Sequence, residues 1–97
     1  QSNLFMKTGN TIVTPPISDG CLNGIMRKQV LEILKKMEGI EVKEISISPF
    51  DLQKADELFL TNVISGIQPI TKYRKKEYAS NFAEEVLKRL NAKIRLS

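Results

Sequence analysis

One stretch of the chain, residues 21–27, combines residue types that suit an anion-binding site. Residues 18–20 before it are Ser-Asp-Gly, a turn-rich segment, and an amphipathic helical pattern follows it. Asn23 can cap that helix, and Gly24 lets the backbone approach a bound group closely. The first amides of a helix have no intrahelical partner and lie at the positive end of its dipole, so they can hold a phosphate. The alternative is an ordinary structural cap that binds nothing.

A second candidate segment, residues 61–66, directly follows the apolar run of residues 58–60. The loop after a buried strand is the usual place for a ligand in α/β sheets. The segment carries three short polar side chains, Thr61, Asn62 and Ser65. If it meets residues 21–27 in the fold, backbone N–H groups from both segments would line a concave anion site.

The residues that are missing exclude several kinds of chemistry. The chain has no histidine and one cysteine, Cys21, so a Ser-His-Asp triad and most metal sites are excluded. The Cys21 thiol has no evident base to activate it. A single cysteine cannot form an internal disulfide, which is typical of a reducing compartment. We therefore assign no catalytic residue and no metal ligand, and we expect a cytoplasmic protein.

Composition indicates one small globular domain over residues 1–97, with 41% hydrophobic and 27% charged residues. No apolar run is long enough to cross a membrane. The net charge is +4, but only Arg74, Lys75 and Lys76 cluster, and aromatic residues are not interleaved with them. We therefore expect a solvated basic loop and no nucleic-acid partner.

The first half of the chain predicts a hairpin, a helix and a strand. Residues 3–7 and 11–14 are strand-like around the turn at 8–10. Residues 24–37 predict an amphipathic helix, with Arg27 mainly on its solvent side. Residues 40–47 alternate as a strand, with a phase shift that suggests a bulge.

The second half predicts a short capped helix, a buried strand, an edge strand and a final helix. Ser48 can cap a helix that ends near residue 55, and residues 67–71 contain Pro69, which suits an edge strand at best. Asn81 and Glu84 resemble a capping box for the final helix. Together these elements predict a mixed α/β fold, a small mixed sheet with two main helices.

The order of these motifs resembles the class IV aminotransferases, a family of pyridoxal-phosphate enzymes. The resemblance is carried by residues 3–5, 12–14 and 22–27 and, downstream, by residues 51–62 and 66–70 in the same order. The family includes branched-chain and D-amino-acid aminotransferases and 4-amino-4-deoxychorismate lyase. It implies that residues 1–97 are the C-terminal, cofactor-phosphate domain of a D-amino-acid aminotransferase-like fold.

The resemblance also implies the cofactor and the residues that contact it. Pyridoxal 5′-phosphate would be held at the helix start by Gly24, Ile25 and Met26, and on the downstream loop by Asn62. The backbone near Val63 and Ile64 would meet the substrate carboxylate. A dianionic phosphate suits N–H donors at a positive helix end, so the physical interpretation of residues 21–27 agrees.

Two positions favour the lyase branch of the family. Aminotransferases usually carry threonine where Met26 stands. Asn62 also resembles the lyase, since aminotransferases tend to place a hydroxyl residue at Val63. The resemblance therefore implies a lyase that forms p-aminobenzoate and pyruvate in folate biosynthesis. The alternative is a branched-chain or D-amino-acid aminotransferase of amino-acid metabolism.

The resemblance places the Schiff-base lysine well upstream of Asn3, and the glutamate that pairs with the pyridine nitrogen just before Gln1. The chain is therefore expected to be part of a longer two-domain homodimeric enzyme and to be inactive alone. A second alternative is a non-enzymatic module that binds an anion or a partner through the same loops. The upstream reading frame would distinguish these two hypotheses.

Overall fold

The computed structural model describes residues 2–16, 25–62 and 66–96. A five-stranded sheet forms its centre, with strands β1 (Ser2–Thr8), β2 (Thr11–Thr14), β3 (Glu41–Glu44), β4 (Glu57–Asn62) and β5 (Gly66–Ile70). The strand order is β3-β2-β1-β4-β5. Strands β2 and β3 run parallel, and every other neighbouring pair is antiparallel. The sheet is therefore mixed, as predicted.

Two long helices cover one face of the sheet. Helix α1 (Ile25–Lys36) connects the parallel strands β2 and β3, and helix α3 (Asn81–Leu96) packs on β4, β5 and α1. A parallel pair needs such a crossover because its strands cannot be joined by a tight turn. The Lys93 ammonium, 2.6 Å from Glu32, links the two helices and lowers the pKa of that carboxyl.

The main core lies between this helical face and the sheet. Phe5 and Phe59 are directly opposite on β1 and β4, and their rings stack with centroids 5.2 Å apart. The predicted stripe of α1 is confirmed, because Val30, Ile33 and Leu34 are buried in this core. Ala83, Val86 and Leu90 of α3 complete it. These contacts fix both helices over the sheet.

The other face of the sheet carries a smaller cluster. Helix α2 (Pro49–Lys54) and a two-stranded hairpin, β6 (Lys72–Tyr73) with β7 (Lys76–Glu77), belong to this side. The cluster consists of Met6, Val13, Ala55, Leu58 and Tyr78, packed against partly buried Leu52. The buried Tyr78 hydroxyl donates to the Leu52 carbonyl, and burial raises the pKa of Tyr78. This contact ties α2 to the segment after β7.

Several predicted elements are confirmed. The first hairpin forms, with Gly9 at a φ of +60° in its turn, where glycine is favoured. Ser48 caps α2 and exchanges hydrogen bonds with Asp51 in a complete capping box. Strand β5, which contains Pro69, lies at the edge of the sheet.

Three predictions about local structure are wrong. Strand β3 ends at Glu44 and does not continue to residue 47, and Ile45 beyond it is half exposed. The basic segment is the β6–β7 hairpin, with Arg74 at a φ of +58° in its turn, and is not a simple loop. Asn81 is the first residue of α3 and not its cap, and the Glu84 carboxylate accepts a hydrogen bond from the Ser80 hydroxyl instead.

Candidate functional site

The predicted site concerns one edge of the sheet, at which β2, β3 and β4 end and β1 and β5 begin. Ser2 of β1 pairs with Asn62 of β4, which in turn pairs with Gly66 of β5. Thr14 and Glu44 end the parallel strands β2 and β3 side by side. The Thr14 hydroxyl donates to the Leu4 carbonyl at 2.7 Å, which joins the end of β2 to the start of β1.

The first turn of α1 is held at this same edge by Arg27. Its Nη2 atom donates to the Pro15 carbonyl just after β2 and to Oε1 of Glu44 at the end of β3, both at 2.9 Å. Helix α1 also packs against β4. The structure therefore brings the start of α1 and the end of β4 to one edge of the sheet, as the anion-site hypothesis requires.

Thr61 presents a buried hydroxyl on the helical side of this edge. It lies opposite Ile67, a member of the core that α1 and α3 cover, and two residues from Phe59 on the same face. Its side chain is 1% exposed, and among the described residues its Oγ1 has no hydrogen-bond partner. A buried hydroxyl normally has a partner, so this atom is suited to contact a bound polar group.

The proposed phosphate contacts fall at different places on this edge. Ile25 is the first residue of α1, and Met26 is half-buried and packs against the main core. Asn62 is the last residue of β4, and strand alternation places its side chain on the same face as Leu58, away from α1.

Three predicted site residues, Gly24, Val63 and Ile64, lie outside the described residues. Their roles, and those of Ile25, Met26 and Asn62, stay predictions. Thr61, which the sequence suggested only as a supplement, is a buried polar side chain on the α1 side of the sheet, at the end of β4.

Two charged residues near the core were misjudged or missed in the sequence. Arg27 is 4% exposed, not on the solvent side of α1, and Glu57 is 5% exposed beneath α3. The sequence contains a signal for the burial of Arg27, because this residue precedes the buried Val30, Leu31 and Leu34 by three, four and seven residues. No sequence pattern indicates the role of Glu57, since that role depends on where the fold places the start of α3.

Two further observations concern the described residues only. No group of three or more histidine, cysteine, aspartate or glutamate side chains is placed to hold a metal ion within residues 2–16, 25–62 and 66–96. In the same part of the chain, no helix combines the length and apolar character needed to span a membrane.

Comparison with known proteins decides the family. The family model described as amino-transferase class IV matches residues 1–73. The chain belongs to this family. A probable branched-chain-amino-acid aminotransferase of Thermotoga maritima is 33% identical to this member over 84 residues, which are 87% of the chain and 29% of the relative. The aminodeoxychorismate lyase of Bacillus subtilis is 35% identical over 83 residues, 86% of the chain and 28% of that enzyme.

Solved structures of the class IV family share the fold. An aminotransferase from Brucella abortus, bound to the cofactor PLP (pyridoxal 5′-phosphate), superposes with a TM-score of 0.84 at 28% identity. The match covers the whole chain and 34% of that structure. The chain thus spans between 18% and 34% of the length of class IV relatives and structures such as these. The predicted family and fold are confirmed, and PLP is confirmed as the cofactor at the level of the family.

Proposed function

We propose that this chain is the C-terminal, phosphate-binding domain of a longer PLP-dependent enzyme of the class IV aminotransferase family. The observation that carries the proposal is that the α1 start and the β4 end lie at the same edge of the sheet, with the buried Thr61 hydroxyl on the face that α1 covers. Two segments distant along the chain can then contact one dianionic group. The match to no more than about a third of each relative supports the assignment to one domain of a longer protein.

The residues at this edge fit the phosphate of PLP. The backbone amides of Gly24, Ile25 and Met26 would donate to it at the positive end of α1, where an anion is stabilised without a charged side chain. Asn62 would add a contact from the end of β4. The fit rests on the orientation of α1 and on the hydroxyl of Thr61, which is buried without a described partner.

The substrate would bind beside the same loop. Backbone N–H groups near Val63 and Ile64 would donate to its carboxylate, which orients the α-carbon of the substrate toward the cofactor ring. When bound, PLP supplies an electron sink for chemistry at that carbon, and the protein supplies position. We assign no catalytic role to the residues of this chain; the Schiff-base lysine would belong to the other domain.

Among the family's activities we propose that of an aminodeoxychorismate lyase, which forms p-aminobenzoate and pyruvate. Met26 supports this branch, since it packs into the core and offers no hydroxyl at the phosphate. Asn62 at the end of β4 supports it as well. The alternative is a branched-chain or D-amino-acid aminotransferase, favoured by the similarity to the Thermotoga maritima protein. Cytoplasmic location and a homodimer are part of the proposal.

The decisive experiment uses the full-length protein. Purified protein should bind PLP with a visible absorbance that dialysis against buffer alone does not remove. With aminodeoxychorismate it should release pyruvate, whereas amino transfer to 2-oxoglutarate from branched-chain or D-amino acids should be absent. Amino transfer without pyruvate release would assign the alternative, and failure to bind PLP would refute both.

The domain assignment has a simpler check. The reading frame upstream of residue 1 should encode a further domain that contains a lysine able to react with PLP. Borohydride reduction of the loaded full-length protein, followed by peptide mapping, should place the modified lysine in that upstream domain. A modified lysine within residues 1–97 would contradict the assignment.

A further inference from the structure

Arg27 is a buried cation in the first turn of α1. Only 4% of its surface is exposed, and a buried charge is costly unless it is paired. A single nitrogen, Nη2, donates to both the Pro15 carbonyl and the Glu44 carboxylate. The Nε atom is buried with no partner among the described residues.

These two hydrogen bonds fix where α1 begins. Pro15 follows β2 and Glu44 ends β3, so the guanidinium spans the ends of the two parallel strands that α1 connects. The apolar side chains of α1 that pack in the core, such as Val30 and Leu34, make contacts that have no preferred direction. Arg27 therefore supplies the directional contact at the helix start.

The charge of Arg27 is paired at the helix start. The first turn of α1 contains no acidic residue, although acidic residues are favoured there and cations are disfavoured. The Glu44 carboxylate, 2.9 Å from the guanidinium, offsets the unfavourable charge of Arg27. The contribution of Arg27 to the helix start is therefore the position that its hydrogen bonds impose.

We propose that Arg27 is a positioning residue for the cofactor phosphate: it anchors the first turn of α1 to the ends of β2 and β3. The inference rests on the proposed function, because it concerns the same phosphate. Arg27 acts through the backbone amides of Ile25 and Met26 and does not itself contact the reacting atoms.

The test compares full-length Arg27→Met, Arg27→Lys and unsubstituted protein. Arg27→Met should weaken PLP binding about tenfold, because a displaced first turn no longer directs its amides at the phosphate, and change the affinity for phosphate-free pyridoxal less than about threefold. Amide hydrogen exchange in the first turn of α1, measured without cofactor, should become faster. Arg27→Lys should restore most of both properties, because one nitrogen can serve both acceptors.

The matched control is Arg89→Met on α3, which removes another paired arginine, 3.0 Å from Glu85. It should leave PLP affinity and α1 exchange unchanged.

If Arg27→Met does not fold, Glu44→Ala removes one acceptor at a partly exposed position and should weaken PLP binding about threefold. The same variant should speed exchange in α1.

Three results would overturn the inference. One is unchanged PLP affinity in a folded Arg27→Met or, where that variant does not fold, in Glu44→Ala. Another is an equal loss of PLP and pyridoxal binding, which would indicate a structural role alone. The third is unsubstituted protein that binds neither compound; it refutes the proposed function as well, whereas the first two refute only the role of Arg27.

Discussion

At the scale of single residues, Thr14 and Thr61 show how one side-chain type serves two purposes at the same sheet edge. Both are 1% exposed. The Thr14 hydroxyl donates to the Leu4 carbonyl, whereas the Thr61 hydroxyl has no partner within the described ranges. A satisfied buried hydroxyl stabilises the fold, and an unsatisfied one costs free energy until something binds it. We therefore propose a ligand role for Thr61 and a structural role for Thr14.

This contrast predicts different effects of the same substitution. Thr61→Val should change the free energy of unfolding of the cofactor-free protein by less than about 0.5 kcal/mol and weaken PLP binding about tenfold. Thr14→Val should destabilise the protein by about 1 kcal/mol, because the Leu4 carbonyl loses its donor. Denaturant unfolding and absorbance titration measure the two quantities. A loss of stability in Thr61→Val with unchanged PLP affinity would refute a ligand role for that hydroxyl.

At the scale of elements, α3 is anchored to the sheet by a buried carboxylate. Glu57 begins β4 and accepts hydrogen bonds from the amides of Phe82 and Ala83 at 3.0 to 3.2 Å. These amides are among those that a helix cannot satisfy internally, and the helix dipole favours a negative charge there. This helix start is occupied by the protein itself, so it is not available to an anion, in contrast to the site proposed at the start of α1.

Removing this carboxylate should loosen α3. Glu57→Ala leaves two buried amides without an acceptor and should destabilise the protein by about 3 kcal/mol. The control is Glu85→Ala on the exposed side of α3, which removes a surface ion pair and should cost less than about 1 kcal/mol. Denaturant unfolding followed by circular dichroism measures both. Equal effects of the two substitutions would show that Glu57 does not anchor the helix.

The capping box of α2 predicts a dependence on pH. Hydrogen bonds from the backbone amide and the hydroxyl of Ser48 hold the pKa of Asp51 below its ordinary value of 3.8. Because the folded-state pKa is the lower one, the stabilisation is present above pH 3.8 and is lost as the pH falls through the folded-state value. The difference in unfolding free energy between unsubstituted protein and Asp51→Asn should therefore shrink on acidification. A difference that does not change between about pH 5 and pH 2 would contradict this cause.

At the scale of the whole molecule, the sequence predicts what is local and misses what depends on distant contacts. The first hairpin, α1 and the capped helix α2 follow from turn residues, spacing and caps within a few positions, and all three form. Local spacing can indicate that Arg27 is buried, but not how its charge is paired, because Pro15 and Glu44 lie 12 and 17 residues away. The hydrogen bonds of Glu57 to α3 span 25 and 26 residues. No local pattern contains such pairings.

The candidate site likewise has local features that the sequence predicts and distant contacts that it does not. Residue types at the start of α1 and the end of β4 indicate a phosphate site, and the registers Ser2↔Asn62 and Asn62↔Gly66 bring the second segment to the correct edge. The sequence did not reveal that Thr61, not Asn62, faces α1. That distinction depends on which face of β4 the helices cover, and only the packed structure determines it.

If one phosphate is held by both segments, its binding should protect both together. At a free PLP concentration of about 100 Kd, amides that exchange only when the site opens should slow about 100-fold, at the start of α1 and at the β4–β5 pairing alike. Phosphate-free pyridoxal should protect them much less. Amides of the β6–β7 hairpin, which belongs to the opposite face, provide the internal control. Protection of one segment without the other would mean that the phosphate is not shared, and the two-segment site would be wrong.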